Sequence, residues 1–82
     1  MQGRWLYGVD IFDEIDRLQV IVELPGVSKE DISVNVKANA LKIVALAGAR
    51  QYHRHIDLGV PVRGEPEIHY NNGVLEIMLG KA

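Results

Sequence analysis

Leu18-Gln19-Val20-Ile21-Val22-Glu23-Leu24-Pro25-Gly26 is the stretch whose reading decides the fold. Leu18, Val20, Val22 and Leu24 recur at every second position, the period that puts side chains on one face of an extended strand. Pro25 withdraws a ladder donor and Gly26 accepts positive φ, so the strand ends there in a turn. A strand with one apolar face needs an apolar layer to cover it, and the flanking segments must supply that layer.

Downstream, Ser28-Lys29-Glu30-Asp31 reads as a capping box with about one helical turn behind it. Ile32, Val34 and Val36 then alternate with Ser33, Asn35 and Lys37, giving a second strand with one apolar and one polar face. Ala38-Asn39 is a tight connection to Ala40–Leu46, where Leu41, Ile43 and Ala45 share one face and Val44 and Leu46 make the other apolar too. Apolar character on both faces predicts a central strand. Gly48-Ala49 suits a two-residue hairpin with glycine at the positive-φ position. It leads into residues 51–58, where Tyr52, Arg54, Ile56 and Leu58 alternate with His53, His55 and Asp57. Two glycines and two prolines between Gly59 and Pro66 predict an irregular connection, with strand structure resuming near Glu67. Glu67–Tyr70 and Val74–Leu79 flank Asn71-Asn72-Gly73, a hairpin signal. Upstream, Val9–Phe12 adds a short edge strand. About seven short strands with close turns and almost no helix predict an all-β, immunoglobulin-like antiparallel sandwich.

Composition sets the outer bounds. A chain of 82 residues accommodates one domain, and 48% hydrophobic against 24% charged residues suits a soluble globular core. The net charge is −2 and the nine Lys and Arg residues are scattered singly, so no basic stripe exists to neutralise a phosphate backbone. Nucleic acid is not an expected partner. The chain has no cysteine, which excludes disulfides and thiolate chemistry and fits a cytoplasmic location. No apolar run approaches the roughly 18–20 residues of a membrane span, and residues 1–10 lack the regions of a signal peptide.

No catalytic constellation emerges. Asp10, Asp13, Glu14 and Asp16 cluster around a predicted turn, but the spacing and glycine of a calcium loop are missing. His53 and His55, two apart on one strand, project from the same face with a geometry that chelates zinc or copper, but no third ligand is assured because His69 belongs to another strand. Ser28 and Ser33 are the only serines, neither lies in a Gly-x-Ser-x-Gly elbow, and there is no phosphate loop. The expectation is a non-enzymatic protein with no cofactor and no metal.

Specific residues go further than the pattern. Glu23-Leu24-Pro25-Gly26-Val27 with Lys29-Glu30-Asp31-Ile32 resembles the strand-end signature of the α-crystallin domain of small heat-shock proteins. Asn72-Gly73-Val74-Leu75-Glu76-Ile77 resembles the closing hairpin of that family, and Tyr52-His53-Arg54-His55-Ile56-Asp57-Leu58 is a third match in the same order. With Asn39-Ala40-Leu41-Lys42-Ile43 these matches run from about Val9 to Leu79, the whole of such a domain. The resemblance implies an ATP-independent holdase of the stress response that binds unfolding client proteins and self-associates. It further implies a groove between two strand edges, here Ile32–Lys37 and Glu67–Tyr70, with Val34, Val36, Ile68 and Tyr70 lining it for an extended apolar peptide. One-sided burial of the same four as ordinary core is the alternative. Tyr52, Arg54 and Ile56 match the strand that supports dimers in the family. A charge between two apolar residues needs a partner, for which Asp57 and Glu14 are candidates, or a route for its head into water.

Several positions depart from the family pattern. Many members exchange a strand carried on a long loop, yet only Ala47, Gly48, Ala49 and Arg50 occupy that place, and an ordinary strand alone takes about five residues. The expectation is a dimer without that exchange, formed by pairing residues 51–58 across a two-fold axis. The sequence reads as one domain over residues 1–82 with its core at about 9–79, lacking a long N-terminal arm or C-terminal tail. Gly59 and Gly80 stand where the family usually has proline, which loosens strand ends without altering the fold. A monomeric co-chaperone adaptor of the related CS type, or a structural accessory protein with the same sandwich, is the competing function.

Overall fold

A computed structural model describes residues 8–82; the opening segment read above for a targeting signal lies, for residues 1–7, outside them. The strands are β1 (Val9–Asp13), β2 (Arg17–Glu23), β3 (Ile32–Lys37), β4 (Ala40–Ala47), β5 (Arg50–Asp57), β6 (Val62–Asn71) and β7 (Val74–Lys81). They form two antiparallel sheets, one of four strands in the order β1-β2-β7-β6 and one of three in the order β3-β4-β5. The sandwich expected from the alternation is the observed architecture, and β4 is central in its sheet.

The core follows from the period of two. Leu18, Val20 and Val22 of β2 pair with Leu79, Ile77 and Leu75 of β7, and all six are buried. From the other sheet Leu41, Ile43 and Ala45 of β4 face them at 0% exposure, with Ile56 of β5 beside Leu41. No polar or charged residue among those described is buried, so the core is an apolar layer. Val44 and Leu46 point outward, half-buried and exposed respectively.

The turns obey their residues. At Asn72-Gly73 both positions have positive φ, +52° and +79°, the type I′ geometry that matches strand twist. At Gly48-Ala49 only the glycine is positive, at +64°, which is the II′ pattern. Ala38 is the outlier. It carries a Cβ at φ +55° and is held there because the Ala38 and Asn39 carbonyls accept the amides of Val62 and Leu58.

Three local readings need correction. Ser28 precedes a single 3-10 turn, Lys29–Asp31, but its side chain makes no capping hydrogen bond; the Asp31 amide donates to the Ser28 carbonyl instead, at 2.9 Å. Strand structure resumes at Val62 and not near Glu67, because β6 is an edge strand where Pro66 is tolerated, and a bulge between Arg63 and Glu67 absorbs Gly64 at φ +73°. Gly59 has φ +79°, and its amide donates to Asp57 Oδ1 at 3.0 Å, so it closes a turn that proline could not form.

Candidate functional site

The ends of the two sheets define where a peptide could lie. β3 ends one sheet and β6 ends the other. Their inner faces meet across a cleft of about 220 Å³ lined by Lys29, Ile32, Val34, Ile68, Tyr70 and Leu75. Val34 pairs with Ile43, Ile68 with Ile77, and Tyr70 with Leu75, so each wall residue stands beside a fully buried neighbour and is only half-buried itself. The cleft is therefore the core's own apolar layer reaching the surface, with a lysine at its mouth. Val36 lies one step along β3, in the row with Leu41 and Ile56. It borders a separate depression with Asn35, Lys37, Ala40, Lys42 and His55.

Two motifs that are far apart in sequence build one end of this cleft. The Tyr70 hydroxyl donates to the Leu24 carbonyl at 2.7 Å, and the Leu24 amide donates to the Gly73 carbonyl at 2.8 Å. A Cβ on Gly73 would come within 3.2 Å of Pro25 Cα, so only glycine lets the Asn72-Gly73 turn sit this close to Pro25. The Leu-Pro-Gly and Asn-Gly-Val-Leu motifs are thus two halves of one corner, which fixes the Tyr70 ring as a wall of the cleft. Sequence reading found Tyr70 but not its tether, nor Lys29 and Ile32 in the lining.

The opposite flank of the sandwich is formed by β5 and β1, the other sheet ends. Tyr52 is half-buried there, Ile56 is buried against Leu41, and Arg54 is exposed although its row neighbours Ile43 and Val34 face inward. Among the described residues Arg54 makes no ion pair, and the two expected partners are engaged elsewhere. Glu14 Oε1 accepts from Arg17 at 2.7 Å, and Asp57 accepts from Gly59. At this exposed position the guanidinium has open access to solvent.

Two of the four carboxylates around the acidic turn have cationic partners. Asp13 pairs with Lys81 and Glu14 with Arg17. The Arg17 guanidinium is raised above its ordinary value, first by its hydrogen bond to Glu14 and then by that carboxylate's charge. His69 meets Glu67 at 3.1 Å on the outer face of the four-stranded sheet, away from His53 and His55. Among the described residues no helix is long and apolar enough to cross a membrane.

A two-sheet sandwich with an apolar cleft between opposite sheet edges is the architecture of an α-crystallin domain. No protein-family model and no curated protein matches the sequence. Solved structures do. A Del-C4 mutant of hsp14.1 from Sulfolobus solfatataricus P2 is 31% identical, with a TM-score of 0.78 over 93% of this chain and 75% of that one. Heat shock protein 16.0 from Schizosaccharomyces pombe has a TM-score of 0.80 at 24% identity, over 100% of this chain and 68% of that one. The hspA of Xanthomonas axonopodis reaches 0.82 at 24% identity, covering 96% of both chains; these last two share the fold. The chain belongs to the small heat-shock protein family. β4 and β5 are joined directly by the Gly48-Ala49 turn, in register from Ala47↔Arg50 to Ala40↔Asp57, so this connection carries no strand to exchange.

Proposed function

We propose that this chain acts as an ATP-independent holdase that captures extended apolar segments of unfolding proteins in the cleft between β3 and β6. The observation that carries the reading is the cleft itself. Val34, Ile68 and Tyr70 present apolar slots, and the β3 edge offers its backbone to an added strand, while Val36 borders the neighbouring depression further along β3. Capture needs no bond made or broken, so the activity is binding and not catalysis. The Lys29 ammonium at the mouth favours segments with a carboxylate beside the apolar residues.

Self-association uses β5 in this reading, with Tyr52, Arg54 and Ile56 along the interface. Two copies pair edge to edge around a two-fold axis, without strand exchange. The absence of cysteine fits work in a reducing compartment such as the cytoplasm. The short β4–β5 turn also suits the competing reading, a monomeric adaptor of the CS type.

Light scattering of a heat-labelled client without ATP, read beside native mass, separates the two. Wild-type chain should suppress aggregation, and Ile68→Asp and Val34→Asp should lose most of that protection. Ile68→Thr and Val34→Thr provide gentler versions should the aspartates unfold the domain. A folded monomer that protects nothing would sink the holdase reading in favour of the adaptor.

A further inference from the structure

Alternation along the strands sorts the outward side chains of the sandwich onto two opposite faces. On the four-stranded sheet the row Phe12, Gln19, Met78, Glu67 lies beside the row Asp10, Ile21, Glu76, His69, and beyond that Glu23 pairs with Val74. Ile21 is thus the centre of an apolar patch, with Phe12, Met78 and Val74 as its diagonal neighbours. Phe12 is 51% and Val74 41% exposed. The rim of this patch is acidic: Asp10 and Glu76 stand directly beside Ile21, Glu23 beside Val74, and Glu67 beside Met78. Arg17 and Arg63, the strand cations of this face among the described residues, lie at its far end beside Gly80, and Arg17 is committed to Glu14. His69 is bonded to Glu67.

The outer face of the three-stranded sheet has the same plan with the opposite charge. Val44 sits between Ser33 and His53, with Leu46 beyond it on one side along β4 and Lys42 on the other. Leu46 is 45% exposed. Lys42 sits between Asn35 and His55, and Lys37 stands beside Ala40; all of these but His53 line or border the depression over Ala40 that Lys37 and Lys42 share. Among the described residues neither lysine has an ion pair. The only carboxylate on the strands of this face is Asp57, which accepts the Gly59 amide.

We propose that these two faces bind each other in successive copies of the chain, the carboxylate-rimmed Ile21 patch of one copy resting on the lysine-rimmed Val44 and Leu46 patch of the next. Complementary rims favour this pairing and disfavour acidic face on acidic face, so the contact is between unlike surfaces. The two faces lie on opposite sides of one sandwich, so each copy carries one of each and the contact repeats head to tail instead of closing as a symmetric pair. Two outer sheet faces pack about 10 Å apart, as the inner ones do. Each patch spans about 14 Å across the strands and about 13 Å along them, far less than the roughly 800 Å² per partner of a standard interface. The stack is therefore weak and driven by concentration. It uses neither the β3–β6 cleft nor the β5 edge.

The test is sedimentation equilibrium of the full chain over rising concentration, at about 20 mM and about 300 mM sodium chloride, on either side of the screening range. At low salt the average mass should climb past that of two chains, and at high salt it should fall back. Lys37→Glu with Lys42→Glu, and separately Asp10→Lys with Glu67→Lys, alter only exposed side chains, and each pair should weaken association at least about tenfold. Each double variant keeps one native face, so mixing the two should restore association that neither shows alone. Should a reversal unfold the domain, Lys37→Gln with Lys42→Gln and Asp10→Asn with Glu67→Gln should weaken association in the same direction. A wild-type chain that never exceeds two copies at low salt overturns the proposal. So does association indifferent to both sets of substitutions, or a mixture of the reversed variants no heavier than its components.

Discussion

Replacing Tyr70 by Phe removes one oxygen and tests whether the corner behind the cleft is held by a hydrogen bond. The Tyr70 hydroxyl reaches the Leu24 carbonyl at 2.7 Å, and Leu24 is only 3% exposed. In Tyr70→Phe the ring still fills the wall, so the packing contribution stays and the carbonyl is left without its protein donor. A buried acceptor without a partner costs about 1–3 kcal/mol. The site is part-buried and water can reach it in part, which places the expected loss near the lower half, about 1–2 kcal/mol. For a chain of 82 residues, each kcal/mol corresponds to a fall in Tm of about 4–8 °C. Urea unfolding should show a lower midpoint at unchanged slope, because the surface exposed on unfolding is the same. A loss below about 0.3 kcal/mol would refute the argument, since it would mean that solvent replaces the hydroxyl at no cost. Client protection at temperatures where the variant is folded should be close to wild type, because the apolar lining is intact.

Other positions give sharp expectations. Ala38→Gly removes a Cβ from a left-handed position and should stabilise the fold by about 1 kcal/mol, read as a higher Tm. Ile43→Ala empties the centre of the core at 0% exposure and should cost about 2–5 kcal/mol in urea unfolding. Gly59→Pro demands a negative φ at +79° and deletes the amide that bonds Asp57, so it should destabilise by about 3 kcal/mol or more; a neutral result would show that the Gly59 turn is not needed.

Much of the fold was legible because it rests on local rules. Every core residue of β2, β4 and β7 shows the period of two, and Pro25-Gly26, Gly48-Ala49 and Asn72-Gly73 each announce a turn through backbone chemistry alone. What was not legible depends on tertiary partners. The bulge that starts β6 at Val62 is hidden because Gly64 and Pro66 read as loop residues, and only the edge position makes them acceptable in a strand. The Ser28 cap fails because a three-residue 3-10 turn leaves the backbone itself to satisfy Asp31. Arg54 shares the inward alternation of Tyr52 and Ile56 yet is exposed, because β5 ends its sheet and the flank beyond it is open. Lys29 entered the cleft lining through the same 3-10 turn, which no periodicity describes.

The four strands at the sheet ends, β1, β3, β5 and β6, all present backbone groups that could pair with another chain, and each sequence limits this differently. β6 is interrupted by its bulge and Pro66, so a regular added strand can run only beside residues 67–71. β1 has five residues and keeps Asp10 and Asp13 along its length. β5 carries Arg50, His53, Arg54, His55 and Asp57, a strongly polar edge that offers little to an apolar segment. β3 alone combines an uninterrupted register over Ile32–Lys37 with apolar side chains beside the cleft. In the proposed reading client peptide and second copy would occupy opposite flanks of the sandwich, so a dimer through β5 would leave the β3–β6 cleft open.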